Sequence, residues 1–134
     1  ITIPDTVTEI NYQTFYGCSS LTSITIPDTV TVIYHQAFYG CSSLTSITIP
    51  DTVTEIKFRA FYGCSRLTSI IFDSDSADNL NSIPFGQFIF HKCSSHLHVY
   101  CPKSVEGLID SLQARFYNNN LIIDSHTTVS FVYH

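Results

Sequence analysis

A 23-residue unit recurs in this chain and limits the fold more than any other feature. Ile3-Pro4-Asp5-Thr6-Val7-Thr8 returns as Ile26-Pro27-Asp28-Thr29-Val30-Thr31 and again as Ile49-Pro50-Asp51-Thr52-Val53-Thr54. Phe15, Phe38 and Phe61 keep the same step, as do Gly17, Gly40 and Gly63, and Cys18, Cys41 and Cys64. Self-similarity at such a period marks a solenoid, because one unit cannot bury its apolar side except against the next.

The physics of one unit follows from its residues. In Leu21-Thr22-Ser23-Ile24-Thr25-Ile26, Ile24 and Ile26 alternate with Ser23 and Thr25. That alternation predicts a strand with one dry and one wet face. Pro27 ends the strand, since proline donates no ladder hydrogen bond. Asp28-Thr29 turns the chain, and Val30 and Ile33 point back inside. His35 to Tyr39 is expected to make one short helical turn, which Gly40 releases before Cys41 re-enters the core.

A fourth unit is degenerate. Cys93-Ser94-Ser95 stands where Cys18-Ser19-Ser20 would, and Pro102 follows Cys93 by nine, as Pro27 follows Cys18. Between Cys64 and Cys93 the step grows to 29, with the extra residues assigned to two loops, Asp73 to Asn79 and Pro84-Phe85-Gly86. The tail reads differently. Val105, Leu108, Ile109, Leu112 and Phe116 follow helical spacing, predicting a helix over Lys103 to Asn118. Leu121-Ile122-Ile123 and Val129 to Tyr133 read as a pair of short strands. The division expected is a solenoid over 1–102 and, over 103–134, a helix-plus-strand cap that closes the last coil.

The pattern Leu-x-x-Ile-x-Ile-Pro, then Val-x-x-Ile, then Ala-Phe-x-Gly-Cys resembles the BspA-like, Treponema pallidum-type leucine-rich repeats, over about residues 1 to 102. The resemblance implies a right-handed leucine-rich-repeat β/α superhelix with one short strand per repeat. It also implies a non-enzymatic surface or secreted protein that binds host or neighbouring-cell proteins. That family usually carries Gly after the second Ile of the pattern, where Asn11, Tyr34 and Lys57 stand here.

Composition narrows the partners. Charged residues are 13% of the chain, net charge is −5, and Lys and Arg number six, which argues against nucleic acid. No apolar run is long enough for a membrane-spanning helix. Ile1 opens in the middle of the pattern, so more chain, with any export signal, is expected before it. The exposed edge of that first coil invites end-to-end self-association.

The wet strand face is the expected ligand wall. Ser23, Ser46, Ser69 and His98 form one ladder across it, and Thr25, Thr48, Ile71 and Tyr100 the next. The bland alternative is β-propensity on a solvated sheet, and the rival function is a structural spacer. Tyr16, Tyr39, Tyr62 and His91 form an outward ladder on the other side, read as ring packing. Asp5, Asp28 and Asp51 are assigned to turns through their carboxylates rather than to calcium. The five cysteines are read as buried thiols, four of them at one repeated position.

Cys93, His96, His98 and Cys101 are zinc ligand types at short spacing, so a zinc-stabilised module is a further alternative. Repeat alignment places both cysteines in the core and His98 on the wall, so no metal site is assigned; His96 replaces a core Leu and is expected to bond a loop. Lys57, Arg59 and Arg66 bunch on the surface, and no set of residues for catalysis or a cofactor is present.

Overall fold

In a computed structural model, the described residues are 2–73, 83–101, 109–117, 122–123 and 127–133. Their order is β1 (Glu9–Ile10), β2 (Val32–Ile33), β3 (Ser46–Pro50), β4 (Glu55–Ile56), β5 (Ser69–Asp73), β6 (His96–Cys101), α1 (Ile109–Tyr117) and β7 (Thr128–Tyr133). Two parallel sheets result, one in the order β1-β2-β4 and one in the order β3-β5-β6-β7. The repeat sets their registers directly: Ile10 pairs with Ile33 and Ile33 with Ile56, while Ser46 pairs with Ser69 and Ser69 with His98. Successive coils of a leucine-rich-repeat solenoid therefore lie on top of one another, equivalent residue on equivalent residue. In the second coil the strand is reduced to a Thr2–Thr25 bridge, although Ile24 and Ile26 are still buried and Ser23 and Thr25 exposed.

The core lies between the two sheets. Val30, Ile33, Ala37, Phe38, Cys41 and Leu44 of one coil are fully buried, and so are Val53, Ile56, Ala60, Phe61, Cys64 and Leu67 of the next. Phe15, Phe38, Phe61 and Phe90 stack at 5.2, 5.0 and 5.6 Å. Phe116 of α1 takes the next place, 6.3 Å from Phe90 and within 7° of parallel. The helix thus ends the phenyl stack with a ring of its own and buries Leu112 beside it.

The expected helical turn is not helical. Gln36 has a φ of 57°, and Gln13, Arg59 and Phe88 repeat that left-handed conformation. A left-handed residue interrupts an α-helix. The backbone turns in short steps instead, Ala37 N–H to Tyr34 O and Tyr39 N–H to Gln36 O, and alternate amides donate to the next coil. Gln36, Phe38 and Gly40 donate to the carbonyls of Phe58, Ala60 and Tyr62. The backbone of this side is thereby tied across coils, in a third row beside the two sheets. Asn11, Tyr34 and Lys57 avoid positive φ, so the missing glycine costs nothing there.

Two further expectations are corrected. Pro84-Phe85-Gly86 is not a loop outside the stack: Phe85 bridges Ile56, and Gly86 N–H donates to Ile56 O at 2.7 Å. Phe85 therefore occupies the place of Ile10, Ile33 and Ile56, and the inserted residues all precede it. Gly86 stands at the position of Lys57, where a Cβ would lie 2.6 Å from the Lys57 carbonyl carbon, so close backbone approach requires glycine. The turns assigned to Asp5, Asp28 and Asp51 also carry backbone bonds, with Val7, Val30 and Val53 N–H donating to Pro4, Pro27 and Pro50 O. The adjacent threonines tie coils together, Thr29 Oγ1 to Val7 O and Thr52 Oγ1 to Val30 O.

The second correction concerns the tail. β7 does not pair with Ile122–Ile123; it runs parallel to β6 over six residues, as one more rung of the same sheet. Ile122 accepts from Phe90 N–H, just as Ala60 accepts from Phe38 N–H, so it belongs to the turn row. The helical calls over Lys103 to Leu108 and at Asn118, the loop calls over Ser74 to Asn79, and Leu121 lie outside the described residues.

Candidate functional site: an exposed ladder on the parallel sheet

Strand alternation puts one residue in two on the outer face of the larger sheet. Ser46 and Thr48 are exposed there, while Ser69, Ile71, His98 and Tyr100 are half-buried. The structure brings six of the eight sequence-assigned wall residues onto this face in two columns, while Ser23 and Thr25 are exposed on the preceding coil, outside the four-stranded sheet. Ser46, Ser69 and His98 are successive register partners, as are Thr48, Ile71 and Tyr100. β7 continues both columns, with Ser130 beside His98 and Val132 beside Tyr100. The second column therefore changes from hydroxyl to apolar and aromatic: Thr48, Ile71, Tyr100, Val132. Sequence comparison with the repeats missed Ser130 and Val132, because the tail carries none of the Pro, Gly or Cys marks that reveal the other coils.

His96 occupies a different place from the one expected. Leu97, not His96, fills the core at 0% exposure, and His96 is exposed on the wall. Its Nδ1 lies 2.5 Å from Thr128 Oγ1 and its Nε2 2.9 Å from Ser130 Oγ. It therefore fastens β7 to β6 from outside. The His96 and His98 rings stand 4.7 Å apart. Cys93 and Cys101 lie on the inner side. Cys93 Sγ reaches Phe61 O at 3.3 Å, and Cys101 Sγ reaches Val132 O at 3.8 Å. The four zinc-type residues are thus divided between two faces, and among the described residues no three of His, Cys, Asp and Glu converge on a point.

All five cysteines carry free thiols. Cys41 and Cys64 donate to Phe15 O and Phe38 O, each at 3.2 Å. The neighbouring Cys41 sulfur, with burial behind it, pushes the Cys64 thiol well above its usual range. Burial alone pushes Cys101 up to about 11. Cys64 and Cys101 are therefore poor nucleophiles, since the thiolate is the reactive form.

The opposite side carries the tyrosine ladder. Tyr16 and Tyr39 stack at 4.7 Å, Tyr39 and Tyr62 at 5.0 Å, and Tyr62 and His91 at 6.5 Å. Their faces are occupied by one another, which leaves ring edges and hydroxyls to solvent. Arg59 packs over Phe58, Tyr62 and Phe88 at 4.8, 5.1 and 5.7 Å. Lys57 lies over Tyr34 and 3.9 Å from Glu55. Lys57 and Arg59 are therefore packed against rings rather than displayed for an anion. On the first coil, Ile3, Val7, Ile10 and Phe15 line a groove of about 390 Å³. No helix among the described residues is long and apolar enough to cross a membrane.

Comparisons with known proteins agree with this geometry. A crystal structure of a leucine-rich repeat protein from Bacteroides ovatus ATCC 8483 superposes with a TM-score of 0.67 over 93% of this chain, at 32% identity. This chain covers 28% of that one. A protein of Trichomonas vaginalis named as a bspA-like surface protein is 79% identical over 24 residues, which are 18% of this chain and 4% of that protein. The BspA type leucine rich repeat region matches residues 1–122 in six copies. A repeat pattern that covers so much of the sequence, folded into stacked parallel rungs, places the chain in the BspA-type leucine-rich-repeat family.

Proposed function

We propose that this chain is a non-enzymatic protein-recognition module of a cell-surface or secreted protein, and that the outer face of the larger sheet is its binding wall. The observation that carries the reading is the change along the second column. The hydroxyl residue Thr48 gives way to Ile71, Tyr100 and Val132 on an accessible face. Tyr is enriched at protein contact surfaces and charged residues are depleted at their cores, which fits the uncharged, Tyr-bearing end of this column. The partner is an extracellular host or neighbouring-cell protein, a reading supported by the Trichomonas relative's name as a surface protein.

A spacer role is the competing reading, favoured by the near-identity of the first three units. The test is a binding screen of the purified chain against matrix, serum and cell-surface proteins. It runs beside a variant carrying Ile71→Ser, His98→Ser and Tyr100→Thr, which restores the plain hydroxyl wall. Binding by the parent and its loss in a folded variant support the wall. Binding by neither, or equally by both, favours the spacer.

A further inference from the structure

His96 and His98 are two residues apart on β6, so both rings stand on the outer face of the sheet. His96 is exposed and His98 half-buried, so solvent reaches both. Their centroids are 4.7 Å apart with the planes inclined at 57°. Two imidazoles on one tetrahedral ion, each about 2.1 Å from it through nitrogen, hold their ring centres roughly 5 Å apart. The spacing already present is close to that value.

The hydroxyls of β7 prepare the site further. A neutral imidazole has one N–H and one lone pair. With His96 Nδ1–H donating to Thr128 Oγ1 at 2.5 Å, Nε2 keeps its lone pair, directed toward Ser130 Oγ at 2.9 Å. Ser130 is the register partner of His98. The lone pair, the second ring and a hydroxyl oxygen therefore share one patch. A hydrogen bond to the distal ring nitrogen is what fixes the tautomer and aim of a metal-binding histidine.

We propose that His96 and His98 form a two-histidine site for a borderline divalent transition-metal ion, Cu²⁺, Ni²⁺ or Zn²⁺. Thr128 orients His96, and water or Ser130 Oγ completes the shell. Imidazole suits these ions, and affinity follows the order Cu²⁺ above Ni²⁺ and Zn²⁺. Cys93 and Cys101 take no part, because their thiols face backbone carbonyls inside the solenoid. The site shares His98 with the proposed wall, but metal binding is measured without any protein partner.

The test is titration of Ni²⁺ and then Zn²⁺ into the reduced 134-residue chain, read by calorimetry and by the imidazole resonances in NMR. One equivalent binds, and the His96 and His98 signals move. His98→Ser loses the binding while keeping the fold, because Ser is the residue of the same column in Ser46 and Ser69. His96→Asn loses it too, and Thr128→Val weakens it about tenfold. Cys93→Ala and Cys101→Ala bind as the parent does. No binding by the parent, unchanged binding in His98→Ser, or loss of binding in a folded cysteine variant overturns the proposal.

Discussion

The rings of Phe38 and Phe61, 23 residues apart, lie 5.0 Å from each other and within 3° of parallel. That contact exists only because two coils are in register, so it reports on the stack rather than on either coil. Phe61 is fully buried and has a second neighbour in Phe90 at 5.6 Å. Phe61→Ala therefore removes a buried ring from a site that cannot collapse without unstacking its neighbours. A loss of about 3–5 kcal/mol is expected in urea unfolding. Phe15→Ala costs less, since Phe15 is half-buried and has a stacking partner on one side, Phe38. Equal losses at the two positions would show that stacking between coils is not what stabilises them.

Two glycines of the chain serve different purposes, and alanine separates them. Gly63 has a φ of 78°, and a Cβ there would meet Gly40 Cα at an ordinary 3.5 Å. Gly63→Ala then carries only the left-handed conformational penalty of about 1–2 kcal/mol. Gly86 has no such angle, but its Cβ would press on the backbone of Lys57 and Phe58. Gly86→Ala must move one coil off the next, and it is expected to lower the melting temperature more than Gly63→Ala. The reverse order would mean that Phe85 and Gly86 are not seated on Ile56.

Much of the fold was legible because the repeat is written in residue types with a fixed structural meaning. Proline ends the strand, alternating Ile and Ser or Thr sets its two faces, and Phe and Cys at constant intervals mark the core. Register follows from identity, which is why the pairing of Ser46 with Ser69 could be anticipated from the sequence. Errors began where the repeat degenerates. His96 falls on the place of a core Leu, but Leu97 is the better core filler and displaces it to the wall. β7 has a strand's composition, yet nothing local shows that its partner is β6 rather than Ile122–Ile123. The left-handed residues at Gln13, Gln36 and Arg59 were also hidden, because their conformation is imposed by hydrogen bonds to the next coil.

The end of α1 is tied to the wall through Tyr117, whose hydroxyl accepts from Val129 N–H at 2.8 Å. Tyr117→Phe leaves that amide without this acceptor and keeps the ring. A loss of about 1 kcal/mol is expected. Hydrogen exchange should quicken at Val129 and its neighbours in β7 and stay unchanged in β3 and β5. Uniform acceleration through the sheet would show that β7 does not open as a local unit.

The buried thiols make stability depend on alkaline pH, with a sign that can be worked out. Burial raises Cys101 from an ordinary value near 9 to about 11. The folded chain therefore holds this proton over a range in which the unfolded chain has released it. The resulting stabilisation is fully present below about pH 9 and is lost as pH rises toward 11. Two pKa units correspond to about 2–3 kcal/mol. Cys64 is raised and its neighbour Cys41 lowered by the contact between their sulfurs, so that pair's contributions oppose one another and Cys101 carries the prediction. Urea midpoints measured from pH 8 to pH 11 should fall more steeply for the parent than for Cys101→Ala, and the difference between the two curves isolates the one thiol. Native chain at pH 8 should also leave Cys41, Cys64 and Cys101 unmodified by a thiol reagent until urea exposes them, since all three are buried. Parallel pH curves for parent and variant, or rapid labelling of Cys101 in the folded chain, would place that sulfur in contact with water and remove the basis of the prediction.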